Sequence, residues 1–187
     1  MNSKVRIIAI SGVMGALTFI MMFLETYVFN ILIPIAPPCF LSLSLAITLS
    51  LSGNWKFMFL GGTVMGFCSF IIAFIIGNPA FIFPWISILP RFFIGLTAFG
   101  VSSLIRKLTA KKENKFLKNY LPYGVGAAIG AITNTVLTLA MLYFCSFIGV
   151  EGIIQTFMAI NFPIEVVASA VIVPILVNAV KRFKHEV

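Results

Sequence analysis

Residues 106–118 read RKLTAKKENKFLK, six cations in thirteen positions. They separate ISILPRFFIGLTAFGVSSLI at 86–105 from LPYGVGAAIGAITNTVLTLAMLYFCSFI at 121–148, two runs that together hold one charged side chain, Arg91. Working outward, further apolar runs fall at about 7–24, 40–52, 57–76 and 153–180, most of them near the ~20 residues a membrane helix needs. A lipid-exposed chain must satisfy its backbone internally, so the runs predict helices. The expected fold is an all-α integral membrane protein, a single bundle of six transmembrane helices over residues 1–187.

Charge gives that bundle an orientation. Lys4 and Arg6 precede the first run, Lys56 lies between the second and third, and Lys181, Arg182 and Lys184 follow the sixth. The gaps at about 25–39, 77–89 and 149–152 carry Glu25 and Glu151 and no cation. Cytoplasmic loops retain Lys and Arg, so both termini are expected inside and those three gaps outside. The composition, 60% hydrophobic and 10% charged with a mean hydropathy of +1.11, fits a multi-pass protein of a cell membrane. On this reading the net charge of +8 reports topology and implies no nucleic-acid partner, although the basic loop also offers a contact for anionic membrane lipid. The first run resembles a signal peptide but is long and lacks a small-residue cleavage site, so it is expected to remain as a helix.

The second run, FLSLSLAITLSLS at 40–52, alternates like a strand, yet an open strand would leave backbone groups unpaired in lipid. As a helix its length reaches only ~20 Å of a ~30 Å hydrocarbon core. The preceding ILIPIAPP at 31–38 is expected to complete the crossing as irregular chain, with Ser42, Ser44, Thr48, Ser50 and Ser52 buried in the bundle.

Several chemistries have no residues to carry them. The chain holds no Asp, its one His is His185 in the charged tail, and no GxxxxGK[ST] phosphate loop occurs. Intramembrane metalloproteases, Asp-pair proteases and ATP hydrolysis by this chain are thereby excluded. Cys39, Cys68 and Cys145 lack metal or redox spacing, so no metal and no cofactor is expected.

Within the apolar runs the polar groups are few: Arg91, Asn134 midway along the fifth, and Asn161 and Glu165, four apart on the sixth. Intramembrane ionisable groups are costly and face the bundle or a cavity. Arg91 and Glu165 either neutralise one another or line a site for a small polar solute, with Asn78 and Trp85 bracketing an outer loop above it. Asn134 follows Gly126 and Gly130 at helical spacing, which equally suits a close helix contact. In AISGVMGALTF at 9–19, Ala9, Gly12 and Ala16 form a small-residue face on which another helix can pack.

A chain of this length with these features resembles the substrate-binding (S) component of energy-coupling factor (ECF) vitamin transporters: a short basic N-terminus, small residues on helix one, no ATPase motif and a proline-rich first outer loop. ISILPRFFIGLTA at 86–98, GAITNTVLTLAMLYF at 130–144 and NFPIEVVASAVIVP at 161–174 look most like the pantothenate type. Gly12 and Ala16 stand where the family often shows two alanines. The resemblance implies a membrane-embedded vitamin binder, not an enzyme, that works with a transmembrane coupling (T) subunit and two cytoplasmic ATPases as an ABC importer. It implies that Arg91 takes the vitamin carboxylate, that Asn134, Asn161 and Glu165 meet hydroxyl and amide groups, and that Ala9, Gly12 and Ala16 dock the coupling subunit. S components for other water-soluble vitamins, of the folate, riboflavin or pyridoxine type, are alternatives. A self-sufficient small-solute carrier would transport without ATPases, and a membrane enzyme would turn over substrate in detergent.

Overall fold

A computed structural model describes residues 3–29, 39–52, 55–110, 114–149, 151–152 and 161–185. Its helices are α1 (Ser3–Phe29), α2 (Phe40–Ser52), α3 (Met58–Ile76), α4 (Pro84–Ser87), α5 (Leu89–Thr109), α6 (Lys115–Asn119), α7 (Leu121–Phe144) and α8 (Asn161–His185). Among the described residues five segments are long and apolar enough to cross a membrane: Ile8–Val28, Met58–Ile76, Pro84–Thr109, Phe116–Phe144 and Phe162–Arg182. The architecture is that of an all-helical, multi-pass membrane protein. The segment 31–38, expected as irregular chain, and the start of the sixth apolar run at 153–160 lie outside the described residues.

α2 is the thirteen-residue helix expected from the alternating run, and it occupies the middle of the bundle, packed on α1, α3, α5, α7 and α8. Ten of its residues are buried, including Ser42, Ser44, Thr48, Ser50 and Ser52. Burial on every side is why it shows no amphipathic period. Its hydroxyls are satisfied locally: Ser44 Oγ donates to Phe40 O at 2.6 Å, Thr48 Oγ1 to Ser44 O at 2.8 Å and Ser50 Oγ to Ala46 O at 3.2 Å. The apparent strand pattern is a helix whose polar atoms fold back on its own carbonyls.

Lipid tails are as apolar as leucine, so close packing rather than hydrophobic transfer holds such helices together. Glycines supply it. A Cβ at Gly61 of α3 would stand 1.8 Å from Ala46 O, one at Gly62 would stand 2.0 Å from Arg91 O, and one at Gly95 of α5 would stand 1.6 Å from Met58 O. Gly126 and Gly130 of α7 lie against Ala98 and Ser102, and against Ala98 and Ile94, as their helical spacing predicts. Leu43, Ile47, Met65, Ile72 and Ile94 fill the core between these contacts.

Three helix boundaries differ from the apolar runs. The fourth run breaks into α4 and α5 at Ile88, because Pro90 has no N–H to continue the ladder. Arg91 is consequently the third residue of α5. The fifth helix stops at Phe144, four residues short of its run, where Ser146 takes φ 59°. α1 outlasts its run by five residues, which carries Glu25 into the helix rather than an external gap.

Gly95→Ala should overpack the α3–α5 contact and cost about 1 to 3 kcal/mol, a fall in Tm of roughly 2 to 10 °C. Gly12→Ala meets nothing within 4 Å and should hold or raise Tm, since alanine favours helix. Thermal unfolding of both variants in detergent checks the packing; equal Tm values would contradict it.

Candidate functional site

The polar residues gather at one end of the bundle, where α1 ends and α2, α5 and α8 begin. α2 starts there in an apolar setting, so its first N–H groups need acceptors. Two carboxylates provide them. Glu25 of α1, 5% exposed, accepts from Leu41 N at 2.6 Å through Oε1 and from Ser42 N at 3.1 Å and Ser42 Oγ at 2.7 Å through Oε2. Glu165 of α8, 7% exposed, accepts from Cys39 N at 3.1 Å through Oε1 and from Thr135 Oγ1 at 3.2 Å through Oε2. Negative charge at a helix N-terminus is also favoured by the helix dipole.

Arg91 is in a different position. It is 5% exposed and donates from Nη1 to Ser87 O at 2.7 Å, one turn back on its own chain. The Phe81 ring lies 5.3 Å from its Cζ, a cation–π contact. Ser87 Oγ donates to Phe81 O, which ties the ring and the carbonyl into one support. Arg91 Nε has no hydrogen-bond partner among the described residues. Nor does Glu165 bond to the guanidinium: its oxygens are occupied by Cys39 and Thr135. Glu165 and Arg91 thus form no direct ion pair among the described residues.

Arg91 faces a cavity of about 40 Å³, bordered also by Thr26, Cys39, Ser69, Asn78 and Phe81. That is room for roughly three waters. Cys39 joins the two clusters, since its side of the chain lines the cavity while its N–H is held by Glu165.

The antiparallel register of α5 and α7 brings a further polar face to this level. Gly126 meets Ser102 and Gly130 meets Ile94; continued toward Phe144, the same register sets Asn134 near Arg91 and Thr138 near Ser87. Asn134 Oδ1 and Thr138 Oγ1 are buried without partners among the described residues. Buried polar atoms are rarely left so, and Arg91 Nε, Asn134 Oδ1 and Thr138 Oγ1, on neighbouring turns of this seam, mark a place for a polar guest or water; Ser102 Oγ is a fourth such atom, toward the other end of α5.

The structure thus brings Arg91 and Asn78 to one cavity, sets Asn134 at its level and Glu165 beside it. Asn78 caps its own turn as well, its Oδ1 accepting from Ala80 N at 3.2 Å. Trp85 does not join them: it is 51% exposed, with its ring 5.2 Å from Phe83, so it serves the surface. Asn161 is the first residue of α8, and its side chain lies outside the described residues. Glu25 and Thr138 were not singled out in the sequence; a carboxylate just past an apolar run and a Thr one turn beyond Asn134 were the available signals. Among the described residues no three His, Cys, Asp or Glu side chains are grouped to hold a metal.

The small-residue face of α1 lies apart from this site. Ala9, Gly12 and Ala16 are all exposed, in a row with Ile8, Val13 and Ile20.

The chain matches no protein-family model, no curated protein and no solved structure.

Glu25→Ala would leave Leu41 N and Ser42 N without their acceptor, while Ser42 Oγ keeps Cys39 O. The expected cost is about 1 to 3 kcal/mol. Glu25→Gln keeps one carbonyl oxygen and should lose less. Melting curves in detergent test this, and a Glu25→Ala protein as stable as wild type would remove the cap from the account.

Proposed function

We propose that this chain is the substrate-binding component of an ECF-type vitamin importer and takes an anionic vitamin, pantothenate before the others. The observation that carries the reading is the unpaired donor of Arg91. The two buried carboxylates at this end of the bundle, Glu25 and Glu165, hold the N-terminus of α2, while a buried guanidinium retains an unpaired Nε beside a cavity. A ligand carboxylate supplies the missing partner, and the planar fork of arginine suits it. Its seat in the first turn of α5 adds the favourable end of a helix dipole. Asn134 and Thr138 offer an amide and a hydroxyl to the hydroxyl and amide groups of such a ligand, and Ile72, Met22 and Phe81 offer apolar walls. At about 40 Å³ the cavity is smaller than a vitamin, so ligand entry requires the walls to move.

The orientation that goes with this reading is six crossings with both termini inside. It rests on the one-sided cations and places Arg91 toward the outside. α2 then makes its crossing together with 31–38. The chain has no ATPase motif of its own, so import requires a coupling subunit and two ATPases. The exposed row of Ala9, Gly12 and Ala16 on α1 is the face we assign to the coupling subunit.

Two measurements test the proposal. Calorimetry should show pantothenate binding to the purified protein, weakened about ten- to a hundredfold in Arg91→Ala and less in Arg91→Lys, which keeps the charge but loses the fork. Unchanged affinity in a folded Arg91→Ala protein would remove Arg91 from the site. Gly12→Leu should leave that binding intact and abolish uptake by the assembled importer, because bulk on this face blocks close helix approach. Parallel loss of binding and uptake would instead make the face part of internal packing.

A further inference from the structure

At the end of the bundle opposite Arg91, the last turns of α5, the short helix α6 and the first turn of α7 enclose an open pocket of about 630 Å³. Arg106, Lys107 and Lys118 line it, together with Ser103, Asn119 and Tyr123. Among the described residues no carboxylate lines it. The cations are held on structured supports rather than on a solvated tail. Arg106 and Lys107 belong to the last turn of α5. α6 is started by Asn114, whose side chain accepts from Phe116 N at 2.9 Å, and fixed to α8 by Asn178 Nδ2, which donates to Asn119 O at 3.1 Å. A fourth cation reinforces the field: Lys181 of α8 donates to Tyr123 Oη and sits 4.4 Å from its ring centroid.

Depth in the membrane decides what the pocket meets. The apolar spans Pro84–Thr109 and Phe116–Phe144 end or begin at its walls, so it lies where hydrocarbon gives way to headgroups. α6 is two-sided at that level. Phe116 and Tyr120 stack at 5.5 Å and border an apolar groove with α7 and α8, whereas Lys118 and Asn119 face the basic pocket. Aromatic rings of this kind settle at the interface plane. A cluster of cations around a concavity at that plane matches the phosphate of an anionic lipid.

We infer that this pocket binds the headgroup of an anionic phospholipid from the adjacent leaflet, with Arg106, Lys107 and Lys118 around its phosphate. The inference is independent of the vitamin reading. It is tested on the full-length protein in a non-ionic detergent, titrated with phosphatidylglycerol and followed by thermal shift. Phosphatidylglycerol should raise Tm saturably, and phosphatidylcholine should not. Each cation near an anionic headgroup contributes roughly fivefold in affinity, so Arg106→Gln, Lys107→Gln and Lys118→Gln together should raise the half-saturating lipid concentration roughly a hundredfold. Lys118→Gln alone should raise it about fivefold, which keeps the test readable if the triple variant does not fold. A control with equal charge removed from elements that do not border the pocket, Lys4→Gln, Arg6→Gln and Lys56→Gln, should bind as wild type does. Equal weakening in both triple variants would overturn the pocket in favour of diffuse attraction. Protection by phosphatidylcholine, or displacement of the lipid by millimolar inorganic phosphate, would overturn the lipid headgroup as the ligand.

Discussion

The bundle depends on how the N-terminus of α2 is satisfied. A helix that begins within an apolar medium leaves backbone N–H groups whose isolation costs several kcal/mol each, and an isolated carboxylate there is costlier still. Glu25 and Glu165 bring these two liabilities together, so that α1 and α8, distant in sequence, are pinned to one turn of α2. With its start fixed, a helix too short to cross alone can be buried on all sides. Beyond Ser42, which Glu25 holds, its serines bond to the preceding turn, and Gly61 and Gly95 let α3 and α5 approach to backbone distance.

That clamp also sets the charge of the site. Had either carboxylate been free to reach Arg91, the guanidinium would be a structural half of an ion pair. Instead the acids answer the dipole and amides of α2, and among the described residues the hydrogen bond and ring contact of Arg91 go to a carbonyl and the face of Phe81. Both are neutral partners. They orient the guanidinium and reduce its desolvation cost without forming an ion pair.

Much of the fold was legible because lipid imposes simple rules on sequence. Apolar length located the helices, the helical reading of 40–52 followed from backbone satisfaction alone, and the burial of Ser42 to Ser52 followed from the shortness of that helix. The site was legible in part. Arg91 stood out by isolation, and Asn134 by its place on the glycine face of α7. The partner of Glu165 was not legible: an i to i+126 contact with the backbone of Cys39 leaves no local pattern, and charge complementarity pointed to Arg91 instead. Glu25 was hidden for a related reason, since hydropathy assigned it to a gap while α1 continued past it to reach α2. Trp85 shows the limit of proximity in sequence, for α4 turns it to the surface only two residues from buried Ser87.

The packing differs from one wall of the cavity to the next. Across α3 and α5 the contacts are backbone to backbone, through Gly62 and Arg91 O and through Gly95 and Met58 O, and separating them would open voids along the whole seam. α1 is different. It contributes Met22 and Thr26 to the cavity, yet only 17% of its apolar window is buried, and Gly12 on its outer face touches nothing within 4 Å. Its packing is confined to one face, where Met14, Thr18 and Met22 are buried and Phe19 and Phe23 lie against the core. At this end the hydrogen bonds from α2 to Glu25 add directional ties to that packing. The helix that carries the open small-residue face is therefore also joined to the Arg91 cavity, through Met22 and Thr26 on its wall and through the clamp on α2.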